Sequence, residues 1–255
     1  MYLSAERLAV ANQAVHETFA RTSVAWQALP HWDTGDPGQA RVRNDIPNNP
    51  GFLNVDLQHT DFQVTVVQAN APTPDPLLAE VMAQTVTLAG VVDDDVLPKL
   101  YAANAPGTEA TVTPDGLLDA LIGARAAVEK AGYRSPSCLF TNTAGLKKLS
   151  QLVSGCSILA PLLDAANINT LHRAEKLDPQ DKKARLVLLG RRQRIAQGCA
   201  AEASPGEEPV DLAVSVAPSL EVVGETAAGE IELTVRIRYA LRIKDANGLS
   251  AAWEK

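Results

Sequence analysis

Large aromatic side chains are scarce in this chain: Phe, Trp and Tyr together make up 4% of its 255 residues. Alanine is abundant instead. Small side chains let helices approach closely but leave few large anchors in a core, so such a chain can draw part of its stability from neighbouring molecules. Cysteine is also rare. Cys138, Cys156 and Cys199 are widely separated, no two have metal-ligand spacing, and an odd count argues against a disulfide framework. They read as small buried apolar residues. A basic excess is missing, with 23 Lys and Arg against 30 Asp and Glu and a net charge of -7. That balance argues against a domain that grips nucleic acid, but not against a container that encloses it. No apolar run reads as a bilayer span. The opening MYLSAERLAVANQ, with Glu6 and Arg7, lacks the basic start and apolar stretch of a secretory leader. Synthesis in the cytoplasm, away from any membrane, is the expectation.

Catalytic signatures are missing as well. The chain has no GxSxG, GxGxxG or GxxxxGK[ST] motif. Its four histidines, His16, His31, His59 and His172, are far apart and form no HExxH. The most chemical string is His31-Trp32-Asp33-Thr34-Gly35-Asp36-Pro37. A histidine beside two carboxylates can do acid–base work or hold a metal, so a small hydrolase or metal enzyme using His31, Asp33 and Asp36 is one alternative. Asp-Thr-Gly and Asp-Pro-Gly are also turn formers, and the turn reading is preferred. Asp93, Asp94 and Asp95 suit a divalent ion or a solvated helix end, the second preferred. Arg191, Arg192 and Arg194 suit a phosphate, an acidic partner or an ordinary strand end. No catalytic, cofactor-binding or metal-ligating residue is assigned, and the chain reads as a non-enzyme that needs no cofactor.

What is present is an ordered series of elements. Leu3, Leu8, Val15 and Phe19 give helical spacing over residues 1–20. The stretch 20–50 holds Pro30, Pro37, Pro47 and Pro50 and cannot form a long helix. It also carries Val24, Trp26, Leu29 and Trp32, so it needs a surface to lie on. Leu53, Val55 and Leu57, then Phe62, Val64 and Val66, alternate with polar residues and predict a hairpin over 53–68 that turns at His59-Thr60-Asp61. An isolated hairpin is marginal in water, so this one needs its own body or a neighbour.

A long helix is expected from Asp75, capped by Asp75 with Pro76 in first position and interrupted at Gly90. A second helix opens at Thr113-Pro114-Asp115 and ends at Gly132. Ser137–Thr141 reads as a strand, Thr143–Val153 and Ile158–Ala166 as helices, Arg185–Leu189 and Ile195–Ala200 as a strand pair, and Ser204–Pro209 as a loop. Ile231 to Lys244 alternates strictly, with Ile231, Leu233, Val235, Ile237, Tyr239, Leu241 and Ile243 on one face. Its partner is expected over Ala213–Val223, turning through Gly224–Gly229. Helices and strands do not alternate regularly, so the class is α+β.

This order is similar to the Hong Kong 97-type capsid fold of tailed-phage major capsid proteins and encapsulin shells. The stretch DGLLDALIGARAAVEKAGYRSPSCLFTNTAGLKKL (Asp115–Leu149) resembles the axial segment of that family. VDLAVSVAPSLEVVGE followed by IELTVRIRYALRIKDANGLSA (Val210–Ala251) resembles its C-terminal end. The resemblance implies an N-terminal arm over 1–50, an extended loop over 51–70, a peripheral domain with a spine helix over 71–113 and 225–255, and an axial domain over 114–224. It also implies a subunit that assembles with many copies of itself into a closed icosahedral shell. One form is the major capsid protein of a tailed phage or prophage. That form encloses DNA, works in the virion, is assembled in the bacterial cytoplasm, and has portal, scaffolding or decoration proteins as further partners. The other is an encapsulin nanocompartment around a cargo enzyme. In that family the arm and loop lie across adjacent subunits, which makes Trp26, Trp32, Arg41, Arg43, Leu53, Val55, Phe62 and Val64 the subunit-interface candidates.

Overall fold

Short polar residues set most of the helix ends. Ser4 accepts a hydrogen bond from the Arg7 N–H and opens α1 (Ala5–Thr22). Ser23 ends α1 and, by accepting from the Trp26 N–H, opens α2 (Val24–Ala28). The computed structural model describes residues 3–46, 48–104, 107–177, 183–193 and 208–255. After α2 come β1 (His31–Asp33), β2 (Arg41–Arg43), β3 (Phe52–Asn54), β4 (Asp56–Thr65), α3 (Val66–Ala69) and α4 (Asp75–Ala103). Then follow β5 (Thr108–Ala110), α5 (Pro114–Lys130), β6 (Tyr133–Thr141), α6 (Thr143–Leu149), β7 (Leu152–Val153), β8 (Cys156–Ser157), α7 (Leu159–Ala165) and β9 (Thr170–Arg173). The chain ends with β10 (Arg185–Gln193), β11 (Val210–Glu225), β12 (Glu230–Ile243) and β13 (Leu249–Glu254). The strand expected over 195–200, most of the loop over 204–209, Arg194 and Cys199 lie outside the described residues.

Two sheets organise these elements. The first has the order β1-β11-β12-β4, and the second β5-β13-β10-β6-β9. The alternation expected from Ile231 holds as far as Tyr239, with Ile231, Leu233, Val235, Ile237 and Tyr239 buried on the face toward α4; beyond it Arg242 and Lys244 are buried and Leu241 and Ile243 half-buried. α4 is the spine of this core. Leu77, Val81, Leu88, Val92, Val96 and Leu100 recur at helical spacing and are fully buried. By length and composition α4 is also able to cross a membrane, against the expectation of no such run; here its apolar face is packed into the core. The helix passes Gly90 and Pro98 without a break. Those residues cost an isolated helix about 1 and 3 kcal/mol. Packing against α1, β4 and β12 outweighs that cost. Asp75 is the first helical residue and not its cap, which is Pro74. α5 opens as expected, with Thr113 accepting from the Gly116 N–H, and Gly132 at φ +97° follows its end.

β10 is buried on both faces. Val187 and Leu189 join the main core with Cys138 and Phe140 of β6, while Leu186 and Leu188 join a second core with Leu117, Leu121 and Val128 of α5. This explains its unbroken apolar run.

Two expectations are corrected. Residues 53–68 are not a hairpin turning at His59-Thr60-Asp61. β4 runs straight through these residues, which pair with Arg236, Val235 and Thr234 of β12. A fourteen-residue β12 offers a continuous ladder, so the polar triplet lies on an exposed edge strand and forms no turn. The actual hairpin lies earlier, between β2 and β3. β11 belongs to the first sheet and β13 to the second, so the chain leaves the second sheet before Val210 and returns to it at Leu249. Finally, the helix expected over 143–153 stops at Leu149, because Leu152 and Val153 pair with Ser157 and Cys156.

The N-terminal segment folds onto its own body. β1 lies parallel on β11, with His31, Trp32 and Asp33 opposite Leu212, Ala213 and Val214. Beyond β1, α1 covers the same strand, and Asn12 Oδ1 accepts from the Leu220 N–H at 2.9 Å. At the base of β12 a charged cluster is sealed in. Asp211 is 1% exposed and accepts from Arg242 at 2.6 and 2.7 Å and from Lys244 at 2.8 Å. Arg242 also meets Asp45, and its guanidinium lies 4.8 Å from the Trp32 ring centre. Burial works against the Arg242 charge, yet Asp211 and Asp45 outweigh it and raise its pKa. Breaking such a group leaves a buried charge uncompensated. Arg242→Leu is expected to lower stability by about 3–5 kcal/mol in urea unfolding. Arg238→Ala, at a guanidinium that donates to the Pro37 carbonyl, is expected to cost less than about 1 kcal/mol.

Candidate functional site

The residues singled out as interface candidates divide into two groups. Phe62 and Val64 are buried in the main core of their own protomer, and Val55 in a small core with Val42, Ala213 and Ala240. Trp26 stacks on His31 at 3.8 Å and meets Phe19 edge-on at 5.5 Å. Trp32 packs on the same small core and donates from Nε1 to Asp211 at 3.4 Å. All five pack within their own protomer: Val55, Phe62 and Val64 are buried, and Trp26 and Trp32 are half-buried. Arg41 and Arg43 point outward from β2, and Leu53 is half-buried. The alternation was read correctly, but it cannot say whose surface a strand lies on.

The string from His31 to Pro37 builds a loop. Asp33 Oδ1 accepts from the Gly35 N–H at 2.8 Å, and Asp36 Oδ1 accepts from the Gly38 N–H at 2.8 Å. Gly35 has φ +77°, which favours glycine there. Asp93, Asp94 and Asp95 go separate ways. Asp93 accepts from Ser23 Oγ at 2.7 Å and from the Val24 and Ala25 N–H groups at 2.9 Å. It thereby ties the start of α2 to α4; burial raises its pKa, and these bonds oppose the rise. Asp94 pairs with Lys176, while Asp95 pairs with Lys99 at 2.7 Å and accepts from the Tyr239 hydroxyl at 2.8 Å. Among the described residues no group of three His, Cys, Asp or Glu side chains is placed to hold a metal. Cys138 is buried, and burial pushes its thiol up to about 11. Arg191 reaches across from β10 to donate to the Ala28 carbonyl at 2.9 Å, so it joins α2 to the second sheet.

Sequence reasoning missed several exposed apolar side chains. Phe52 is 69% exposed, Val67 80% and Val223 57%. Leu57, Val66, Met82, Val86 and Leu152 are exposed too. The Val66-Val67 doublet was an available signal, masked by the misplaced turn; the pairing of Phe52 with Arg43 was not visible in the sequence. A cavity of about 620 Å³ separates the β2–β3 hairpin from the C-terminal half of α4, lined by Asn44, Leu53, Asp56, Asp95, Lys99 and Tyr239. Beside this cavity the hairpin is held by Val42 and Leu53 on the small core and by Asp45 on Arg242.

Two imidazoles sit where the N-terminal segment meets the rest. Burial lowers the pKa of His31 and of His172, and Arg191 lowers that of His172 further. A folded-state pKa below the ordinary value of about 6.5 means the neutral ring is preferred in the fold. Its stability contribution is full above that value and is lost as the pH falls through the folded pKa. The urea midpoint is therefore expected to fall between pH 7.5 and pH 5.5, and to fall less in His172→Gln. An equal drop in both proteins would show that His172 takes no part.

Neither a family model nor a curated protein matches the sequence. Solved structures do match. A virus-like particle from Pyrococcus furiosus has 14% identity and a TM-score of 0.70, covering 97% of this chain and 98% of that one. The holo-SrpI encapsulin complex from Synechococcus elongatus PCC 7942 has 14% identity and a TM-score of 0.57, covering 91% and 88%. Mycobacterium phage Bobi has 14% identity and a TM-score of 0.57, covering 91% and 90%. At such identities the likeness speaks for the fold. The chain has the α+β fold of Hong Kong 97-type phage capsids and encapsulins.

Proposed function

We propose that this chain is the repeating subunit of a closed icosahedral protein shell and that it is not an enzyme. The carrying observation is a fold that corresponds over 97% of this chain to a particle-forming protein. His31, Asp33 and Asp36, the residues of the enzyme alternative, are taken up by a ring stack and two loop turns, which supports a structural role. Of the interface candidates, Arg41 and Arg43 are the side chains offered to neighbouring copies, with Leu53 half-buried on the small core.

Within that reading, the chain acts as the major capsid protein of a tailed phage or prophage. Such a shell encloses DNA, is assembled in the bacterial cytoplasm and becomes part of the virion, with portal, scaffolding or decoration proteins as further partners. The likeness to a mycobacterial phage supports this reading, and the net charge of -7 suits a wall that surrounds DNA without gripping it. The likeness to a cyanobacterial encapsulin favours a second reading, a nanocompartment around a cargo enzyme.

Negative-stain microscopy and light scattering of the purified chain are expected to show uniform closed particles of many copies. A species with the mass of one chain at all concentrations would contradict the shell. Particles isolated from cells are expected to carry nuclease-protected DNA. Particles that hold a folded protein and no nucleic acid would support the compartment instead.

A further inference from the structure

The apolar face of β12 continues past the helix that covers it. Ile231 to Tyr239 are buried toward α4, but α4 stops at Ala103, and Leu241 and Ile243 are only half-buried. Both line the cavity of about 620 Å³ beside the hairpin, together with Leu53. That volume lies within the range of small-molecule sites. Leu53, Leu241 and Ile243 give it an apolar wall, and each forgoes packing contacts that a guest would supply.

The polar wall carries an excess of negative charge. Asp56 stands opposite Tyr239 in the β4–β12 ladder, so the two share the face turned toward α4. From α4, Asp95 accepts from the Tyr239 hydroxyl at 2.8 Å. Burial, then Asp95, then Asp56 raise the Tyr239 pKa, as carboxylates near one hydroxyl do. Lys99 meets Asp95 at 2.7 Å, with its side chain 56% exposed. Among the described residues the Asp56 carboxylate meets neither a cation nor a hydrogen-bond donor. Two carboxylates thus face one lysine, which leaves one negative charge uncompensated beside an apolar wall.

Other guests fit this chemistry less well. A phosphate or carboxylate would be repelled by Asp56 and Asp95, and the lysine it needs is already paired. A metal ion lacks a third ligand, since among the described residues no three His, Cys, Asp or Glu side chains are placed to hold one. It would also leave the apolar wall bare.

We propose that this cavity binds an organic monocation with an apolar body, of the alkylammonium class. The ammonium group donates to Asp56 and Asp95, and the hydrocarbon body covers Leu53, Leu241 and Ile243. Because Leu53 belongs to the hairpin and Asp95 to α4, the guest joins those two elements. The site goes beyond the shell reading and does not depend on it.

Hexylammonium is the probe, titrated into the full-length chain by isothermal calorimetry. Hexanoate serves as a body of the same length with the opposite charge, and methylammonium as a charge without the body. Hexylammonium is expected to saturate one site per chain, about tenfold more tightly than methylammonium, while hexanoate does not bind. Asp56→Asn is expected to weaken the binding about fivefold. Lys99→Met removes the cation that competes for Asp95 and is expected to tighten it about threefold. Circular dichroism of both unliganded variants stays that of the parent. Hydrogen exchange in β2, β3 and the last turns of α4 is expected to slow when hexylammonium is bound. No saturable binding of hexylammonium, equal binding of hexanoate, or an affinity that neither substitution moves overturns the site. Where Asp56→Asn disturbs the fold, Lys99→Met decides alone. A chain that forms particles and fails to bind loses this site and keeps the shell reading. A chain that binds and stays single loses the shell reading and keeps this site.

Discussion

Pairing with one C-terminal hairpin is the constraint on which the rest of the protomer depends. β11 and β12 form the centre of the first sheet, and each takes an N-terminal strand on its free edge: β1 on β11 and β4 on β12. These partners are separated by more than 150 residues of sequence. Side chains reinforce the join at its base, where Asp211 of β11 holds Arg242 and Lys244 of β12 and Arg242 reaches Asp45. α1 and α4 then seal the inner face, with Val15 and Phe19 against Leu77, Val81 and Leu88. A fold with so many distant pairings closes long loops before it gains their contacts, which slows folding. The C-terminal third must be present before the N-terminal third has anywhere to settle.

This arrangement explains what was legible in the sequence. Period-two alternation from Ile231 to Tyr239 identified β12 because one face is buried against the core and the other, polar face is mostly half-buried. Thr113 and Gly132 bounded α5 because capping is local chemistry. The turn at His59-Thr60-Asp61 was misread for a related reason. A polar triplet between two alternating runs looks like a connection, yet alternation continues through it in register with β12. Pairing partners are not written in a strand's own residues. Similarly, the proline-rich stretch announced that it needed a surface, and the surface turned out to be β11 of the same molecule through three residues of β1. Arg242 and Lys244 fall on the polar side of that alternation, yet both are buried. Their burial depended on Asp211, thirty residues earlier, and no local pattern links the two.

The interface candidates follow the same logic. Apolar residues chosen by periodicity, such as Phe62 and Val64, went to the inner core. The large apolar side chains left exposed, Phe52, Val67 and Val223 among them, are ones that periodicity discards. Apolar alternation builds the protomer, while the exposed apolar side chains fall outside its pattern. Scarce aromatics fit this division, since the core is filled by many leucines, valines and alanines that interlock through long elements.

The central claim is that the N-terminal third is completed by its own C-terminal hairpin before any neighbour arrives. Hydrogen exchange read by mass spectrometry on the chain at concentrations too low for assembly tests this most directly. The account predicts that α1, β4 and β12 are protected together in the lone protomer, opening as one unit. Rapid exchange of residues 3–65 in the lone protomer, with protection appearing only in assembled particles, would contradict it.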